Sequence, residues 1–140
     1  MTKLDMITRV NEKLCACTKC PDLVASRIQP VPAEGSVDTR VVFLGESPGS
    51  TEDREGRPFC GKSGKLLDEI VAECGWRRED VYVLNTVACH PEWNRNPNPD
   101  EVANCRPFVD LQLKIIKPDV IVCLGSVAAQ NLLGTTAPVR

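Results

Sequence analysis

The chain has 140 residues, 42% of them apolar and 26% charged, and its 17 basic and 19 acidic side chains give a formal net charge of −2. This length and apolar content predict a single domain, 1–140, with a hydrophobic core. The charge balance excludes a disordered chain, and it excludes nucleic-acid binding by bulk positive charge alone. No segment approaches the roughly 20 apolar residues of a membrane span, and the first residues lack a secretory signal pattern. We therefore expect a cytoplasmic protein that does not bind membranes.

An amino-terminal helix is predicted over residues 4–14, where Leu4, Ile7, Val10 and Leu14 share one face. After it, a short continuous apolar strand is followed by an amphipathic helix three times. The strands are predicted at 40–45, 81–85 and 119–125. The helices are predicted at 66–74 (ended by Gly75), 100–116 (capped by Asp100) and 127–133 (capped by Ser126, ended by Gly134). The apolar face of the first of these helices, expected to pack against the core, consists of Leu66, Leu67, Ile70, Val71 and Cys74.

Strands that are apolar on both faces are typical of a parallel sheet covered by helices on each side. The fold class predicted is therefore α/β, a three-layer αβα arrangement around a short parallel sheet. Three parallel strands make a small sheet, and the chain stops soon after the third unit, at 136–140. We expect that a fourth strand is missing and that the domain is incomplete at its carboxyl terminus.

Ligands bind parallel sheets at the carboxyl ends of the strands, which directs attention to the residues that follow each predicted strand. Gly45 would let a ligand approach the backbone, and Glu46 could position a water molecule, although an ordinary acidic loop fits the spacing equally well. Phe59 is either a stacking platform or a core anchor. Asn85 could recognise a base edge or cap a turn. His90, the only histidine, is expected to be an exposed loop residue.

Cysteine is unusually frequent, with eight residues in a chain without an export signal, so that metal binding, catalysis and burial are the candidate roles. Cys17 and Cys20 form a CxxC motif whose two thiolates can reach one ion or cluster. A second pair could come from Cys89 and Cys105, although Cys105 also fits the apolar stripe of its helix. Cys15 could replace Cys17. Spacing alone leaves zinc and iron–sulfur ligation both open.

A phosphate-binding loop is a further candidate, because residues 56–63 match the pattern G-x-x-x-x-G-K-[ST]. Such a loop has to leave a strand directly, whereas eleven residues separate Gly56 from Leu44, near the end of the predicted strand. Pro58 also removes one backbone donor, and the acidic run at 52–55 would repel a triphosphate. We expect nucleotide hydrolysis only as a distant third function.

The motifs taken together resemble the iron–sulfur uracil-DNA glycosylases of bacteria and archaea (family four of that superfamily) over nearly the whole chain. The residues that carry the resemblance are Cys17 and Cys20, the segments 45–53 and 56–61 with Gly64, the segment 82–85, the segment 89–91 with Asn94, Arg95 and Pro97, and Cys105, Pro118, Leu124 and Gly125.

The resemblance implies a fold, an activity and a set of site residues. The activity is hydrolysis of the N-glycosidic bond of deoxyuridine in single- or double-stranded DNA for base-excision repair, by a monomer. The resemblance implies that Cys17, Cys20, Cys89 and Cys105 bind a [4Fe–4S] cluster. It implies a uracil pocket lined by Gly45, Glu46 and Ser47, in which Phe59 stacks on the base and Asn85 recognises uracil N3–H and O4. It also implies that Glu46 and Asn85 are catalytic and that Asn94 and Arg95 contact the sugar or the DNA backbone.

The chain departs from the family at its carboxyl end. The family carries a His-Pro motif after a fourth strand, whose histidine donates a hydrogen bond to uracil O2, and this chain ends before that region. Losing a preorganised donor typically costs 100–1000-fold in rate, so we expect impaired activity. The alternative is a non-catalytic iron–sulfur DNA-binding module, such as a polymerase- or phage-associated relative.

Overall fold

The computed structural model describes residues 1–134. The helices are α1 (Lys3–Cys15), α2 (Pro21–Ser26), α3 (Ser50–Glu55), α4 (Lys62–Glu73), α5 (Pro99–Ile116) and α6 (Ser126–Leu133), the strands are β1 (Glu34–Gly35), β2 (Val41–Gly45), β3 (Tyr82–Asn85) and β4 (Val120–Cys123), and short 3₁₀ turns cover Arg78–Asp80 and Glu92–Asn94. Every predicted helix and strand is present. The short elements α2, α3 and β1 were not predicted.

The four strands form one sheet in the order β1-β3-β2-β4. Strand β2 pairs in parallel with β3 on one side and with β4 on the other, which confirms the predicted parallel sheet. The predicted count of three strands was wrong, because β1 pairs antiparallel with β3. Its two residues, Glu34 and Gly35, are too short and too polar to produce an apolar strand pattern. The predicted carboxyl-terminal end at 136–140 lies outside the described residues.

Alternate residues of the central strands face opposite sides of the sheet, as the period of a strand requires. One buried cluster joins Val42, Leu44, Tyr82 and Leu84 of β2 and β3 to residues of α1, α5 and α6, and the other joins Phe43, Val81 and Val83 to Leu67 and Val71 of α4. The predicted three-layer α/β arrangement is therefore confirmed. Among the described residues, no helix combines the length and the apolar character needed to cross a bilayer.

The N-cap of helix α5 lies two residues earlier than predicted. Asn98, not Asp100, is its N-cap: the Asn98 side chain accepts a hydrogen bond from the Glu101 N–H at 2.9 Å, and the Glu101 carboxylate accepts one from the Asn98 N–H at 2.9 Å. This reciprocal capping box satisfies two otherwise unpaired donors, which Asp100 inside the first turn cannot do. Ser126 is likewise the first residue of α6, with Gly125 as its N-cap.

Gly75 and Gly134 follow α4 and α6 with positive φ angles of 82° and 68°, as expected for glycines that end helices. Four residues of the predicted apolar faces are exposed: Leu4 of α1, Leu66 and Ile70 of α4, and Cys74 at the carboxyl end of α4. A periodic pattern identifies the apolar face of a helix. How much of that face is covered by other elements depends on the tertiary packing.

Candidate active site and cysteine cluster

Strands β2 and β3 end side by side, with Gly45 directly opposite Asn85 in the register. The two backbone segments that follow these strands remain hydrogen-bonded to each other beyond the sheet. The Gly45 carbonyl accepts hydrogen bonds from the backbone N–H and the hydroxyl of Thr86, both at 2.8 Å, and the Val87 N–H donates to the Glu46 carbonyl at 3.1 Å. The residues predicted at the ends of two separate strands therefore lie at one position of the sheet edge.

Gly45 lies against two side chains that the sequence placed far apart. A methyl group at Gly45 would stand 2.6 Å from Oδ1 of Asn85 and 2.6 Å from Cζ of Phe59. The expected close approach to this glycine is thus made by the amide of Asn85 and the ring of Phe59. An aromatic face and an amide edge that meet in this way can bind a flat heterocycle that carries polar edge groups.

The loop that carries Phe59 is held by a buried carboxylate. Oε2 of Glu52 accepts hydrogen bonds from the backbone N–H groups of Cys60, at 3.0 Å, and Gly61, at 2.7 Å. Glu52 is only 8% exposed. This carboxylate occupies two of the backbone donors that a nucleotide phosphate would need and places negative charge where the phosphate would lie, which argues against the phosphate-binding loop.

Two contacts fix the carbonyl side of the same loop. The guanidinium of Arg78 donates to the carbonyl oxygens of Phe59, at 2.9 Å, and Pro58, at 3.1 Å. Helix α4 approaches Phe59 through Gly64, where an added methyl group would stand 1.8 Å from the Phe59 oxygen. The position of the Phe59 ring therefore depends on groups outside the cavity that the ring lines.

Two cavities of about 290 Å³ each lie against Phe59 and Asn85. The first cavity, which we call the polar cavity, is lined by Ser50, Thr51, Glu52, Lys62 and Asn94. The second cavity is lined by Gly45 and Glu46 and by the apolar side chains of Leu66, Leu67, Ile70 and Leu124. Ser47 and Ser63 line both cavities. Leu66 and Ile70, predicted as core residues, line a cavity instead. The arrangement places a polar space and a partly apolar space on either side of the same aromatic ring.

Glu46 lies at the second cavity with one carboxyl oxygen, Oε1, buried and without a hydrogen-bond partner among the described residues. Burial raises the pKa of this carboxyl above its ordinary value, because removing water penalises the charged form. A carboxylate in this state is free to accept a hydrogen bond from a water molecule or from a ligand. That property suits the predicted role, which stays a prediction.

His90 is half-buried, so the expectation of an exposed loop residue was wrong. Its Nδ1 lies 2.8 Å from the Pro48 carbonyl, and its own carbonyl accepts a hydrogen bond from the Ser26 hydroxyl at 3.3 Å. These contacts tie the loop after β3 to the loop after β2. Of the other predicted contact residues, Asn94 lines the polar cavity, whereas Arg95 forms a bidentate ion pair with Glu101 at 2.7 and 2.9 Å.

Two of the four predicted ligand cysteines pack together in the structure, and the full set of four ligands stays a prediction. Cys20 and Cys89 belong to one buried cluster. Burial is the main cause that raises the pKa of Cys105 to about 12, and negative charge on Cys89, Cys20 and Cys17 contributes to the rise. Cys105 itself packs in the neighbouring buried cluster with Leu14, Val87 and Ala88. Cys15, by contrast, is exposed, and burial alone raises its pKa.

N–H groups of neighbouring residues point at the sulfur atoms of this cluster. Nη1 of Arg27 donates to Sγ of Cys89 at 3.1 Å, and Nδ2 of Asn104 donates to Sγ of Cys20 at 3.4 Å. Such donors stabilise thiolates that bind metal centres, so the chemistry of the residues fits a thiolate-bound group. Within residues 1–134, however, no three His, Cys, Asp or Glu side chains already stand in the arrangement of a metal site.

Comparison with known proteins identifies the family. A sequence profile of the uracil DNA glycosylase superfamily matches residues 32–139. The chain belongs to this superfamily. The Type-4 uracil-DNA glycosylase of Thermotoga maritima is 50% identical over 127 residues, which cover 91% of this chain and 66% of the relative. The Type-4 uracil-DNA glycosylase of Archaeoglobus fulgidus is 47% identical over 130 residues, which cover 93% and 63%.

The resemblance inferred from the motifs is therefore confirmed at the level of the uracil DNA glycosylase superfamily. The chain spans slightly less than two thirds of the length of these two relatives. A segment of a DNA polymerase of Bacillus phage SP01 is also similar, with 33% identity over 110 residues that cover 78% of this chain and 12% of the polymerase.

Sequence reasoning missed two charged residues that shape the site of this superfamily member. Glu52 belongs to the acidic run that was interpreted only as a repulsive surface, and nothing in the sequence separates it from its exposed neighbours Arg54 and Glu55. Arg78 lies nineteen positions after Phe59 in a polar segment without a motif. Both contacts are long-range, and only the packing of α3, α4 and β3 brings them to the loop.

Proposed function

We propose that this chain acts as a uracil-DNA glycosylase, which hydrolyses the N-glycosidic bond of deoxyuridine in DNA during base-excision repair. Membership of the superfamily and the similarity to Type-4 uracil-DNA glycosylases support the proposal. The observation that carries it is the convergence of Phe59 and Asn85 on Gly45 at the end of two parallel strands.

In this proposal Phe59 stacks on a uracil that has been flipped out of the DNA, and Asn85 recognises its edge. The amide oxygen of Asn85 accepts from uracil N3–H, and the amide nitrogen donates to O4. Cytosine presents an acceptor at N3 and a donor at its exocyclic amine, so both pairs fail. Each unsatisfied buried group costs about 1–3 kcal/mol, which is enough to exclude cytosine.

The reaction depends on stabilising the charge that develops on the sugar and on the base, and not on a strong nucleophile. As the bond to the base breaks, the sugar becomes cation-like and uracil leaves as an anion. We assign to the Glu46 carboxylate the positioning of water and the stabilisation of the cationic sugar, and to Asn85 and the backbone at Gly45 and Ser47 the binding of the base. Fixed donors that face the developing anion lower the barrier, because they need no reorganisation during the reaction.

The polar cavity is the proposed contact for DNA around the flipped nucleotide. Asn94, Lys62 and Ser63 line it and can bind sugar or phosphate oxygens. Because Arg95 is paired with Glu101, a role for Arg95 in DNA binding requires that pair to open or to share its donors. Local contacts of this kind suit a chain whose net charge is −2.

Cys17, Cys20, Cys89 and Cys105 are the proposed ligands of a [4Fe–4S] cluster. When bound, the cluster would supply a structural link rather than a chemical step. Two of these cysteines lie just after α1 and two lie beside the loop after β3, so the group would tie the amino-terminal segment to the candidate active site. The sulfur–donor contacts of Arg27 and Asn104 support thiolate ligands there. We further propose a cytoplasmic monomer in which residues 1–140 form one glycosylase-like domain.

The test is release of uracil from a single-stranded oligonucleotide with one deoxyuridine. We expect the unmodified chain to release uracil, and Asn85→Ala to lower kcat/KM about 5- to 150-fold by losing about 1–3 kcal/mol of base recognition. Asn131→Ala, which removes a side-chain amide that donates to the Val127 carbonyl within α6, is the matched control and should have unchanged kinetics. Equal activity of Asn85→Ala and the unmodified chain would contradict the assignment.

The second candidate is a DNA-binding module without excision activity, and the phage DNA polymerase segment supports it less strongly, at 33% identity, than the glycosylases at 50% and 47% support excision. The same assay separates the two functions. A module would bind the deoxyuridine oligonucleotide and its thymidine counterpart equally and release no base, and Asn85→Ala would not change its affinity.

A further inference from the structure

Phe59 has a backbone conformation that it does not favour by itself. Its φ angle is +51°, in the left-handed region that costs a residue with a side chain roughly 1–2 kcal/mol. The loop around it contains no regular structure between α3 and α4. Contacts from elsewhere in the chain must therefore hold Phe59 in place.

Arg78 provides these contacts on the carbonyl side of the loop. Its Nη1 donates to the Phe59 carbonyl at 2.9 Å and to Oδ1 of Asp68 at 2.8 Å, while Nη2 donates to the Pro58 carbonyl at 3.1 Å. The side chain of Arg78 is 21% exposed. Asp68 belongs to α4, so one guanidinium connects the Phe59 loop, α4 and the turn that precedes β3.

The other side of the loop is held independently. Glu52 binds the N–H groups of Cys60 and Gly61, and Gly64 brings α4 against the Phe59 carbonyl. If Arg78 were removed, the Phe59 carbonyl would lose its donor while Cys60 and Gly61 stayed bound. The loop would then keep its general course, but the left-handed conformation of Phe59 would lose its main support.

We propose that Arg78 is a positioning residue for uracil recognition, acting through Phe59 by fixing the backbone that aims the aromatic ring into the cavity. This inference rests on the proposed function, because it assumes that Phe59 stacks on the base. The planar guanidinium is needed for its fork of donors, which reaches two carbonyls and a carboxylate together. A lysine could keep the ion pair with Asp68 but could not bind both carbonyls in the same way.

A double-mutant cycle tests the proposal. Phe59→Ala, Arg78→Ala and the double variant are compared by their affinity for an oligonucleotide with one 2′-fluoro-2′-deoxyuridine, a substrate analogue that resists hydrolysis. We expect Arg78→Ala to weaken binding about 10-fold, and to cause no further loss once Phe59 is alanine. An interaction between the two substitutions is the sign of a shared role.

The neighbouring Arg77 offers a matched control. Its guanidinium pairs with Glu79 and Asp80 at the surface and does not contact the Phe59 loop, so Arg77→Ala should bind as the unmodified chain does. Arg78→Lys should give an intermediate loss, because it keeps the charge but not the fork. Thermal unfolding of every variant, followed by circular dichroism, separates a local change from loss of the fold.

The outcomes distinguish failure of the positioning role from failure of the proposed function. No effect of Phe59→Ala on affinity would contradict the stacking role and with it the proposed function. A loss with Phe59→Ala, together with an Arg78→Ala loss that is absent or that persists undiminished in the double variant, would overturn the positioning role alone. Should Arg78→Ala fail to fold, the same cycle with Arg78→Lys gives the decision.

Discussion

Gly45→Ala is the substitution whose effect the structure determines most directly. The added methyl group would stand 2.6 Å from Oδ1 of Asn85 and 2.6 Å from Cζ of Phe59, whereas ordinary contact begins at 3.4 Å. Each of the two proposed base-binding groups would have to retreat by about 0.8 Å. Both are ends of side chains and not backbone atoms, so the strand can keep its course while the binding geometry changes.

A displacement of about 1 Å in a catalytic site can cost about 100-fold in rate. We therefore expect Gly45→Ala to reduce uracil excision from a single-stranded oligonucleotide by about 100-fold, with a melting temperature within a few degrees of the unmodified chain. The assay is single-turnover release of uracil, which reports the chemical step without product dissociation.

Gly75→Ala provides the reciprocal control. Gly75 has open space where a methyl group would be added, but its φ of +82° strains any other residue. This variant should lose about 1 kcal/mol of stability and keep its excision rate. Full activity of Gly45→Ala would refute the claim that Gly45 keeps the binding groups in place, and a large loss of stability would show that the effect is one of folding.

Three further predictions concern the helix cap, the buried carboxyl and the thiols. Asn98→Ala should cost about 1 kcal/mol in urea unfolding by removing the α5 cap, while Asp100→Ala should cost much less. Because burial raises the pKa of Glu46, the unmodified chain should lose stability relative to Glu46→Gln as pH rises from below the ordinary glutamate pKa through the raised value, measured by urea unfolding across pH. Cys89→Ser should abolish iron binding and the visible absorbance of the reconstituted protein, whereas Cys15→Ser should leave both intact.

Each of these three predictions has an outcome that contradicts it. Equal losses for Asn98→Ala and Asp100→Ala would show that the capping box contributes nothing measurable. A stability difference for Glu46→Gln that does not change with pH, or that changes in the opposite direction, would exclude a raised pKa. Iron retained by Cys89→Ser, or lost by Cys15→Ser, would contradict the proposed ligand set.

Apolar patterns predicted the central layers of the fold correctly, because strands such as β2 are buried on both faces and read as continuous apolar runs. The same patterns could not separate Leu67, which is in the core, from Leu66 and Ile70, which line a cavity. All three lie on the apolar side of α4. Leu66 and Ile70 differ from Leu67 in being exposed at the cavity beside Phe59, and tertiary packing forms that cavity.

At the candidate site, local sequence patterns likewise identified individual residues but not the contacts between distant parts of the chain. Gly45 and Asn85 could each be nominated in advance because ligands bind at the carboxyl ends of parallel strands, but their direct pairing is known only from the register of the sheet. Phe59 could not be placed by spacing, since its loop is held by Glu52, which binds backbone groups eight and nine positions away, and by Arg78, which binds the Phe59 carbonyl across nineteen positions. Spacing offered Cys89 and Cys105 as a second pair of thiols, and the family resemblance selected all four as ligands. The structure shows Cys20 and Cys89 in one buried cluster, which no local pattern indicates.

The central claim is that the cavity at Gly45, Phe59 and Asn85 binds uracil and excludes cytosine. Its most direct test is the affinity of the chain for two oligonucleotides that differ only in carrying 2′-fluoro-2′-deoxyuridine or 2′-fluoro-2′-deoxycytidine. The account predicts at least 10-fold tighter binding of the uracil analogue, and loss of that preference in Asn85→Ala. Equal affinity for the two analogues in the unmodified chain would contradict it.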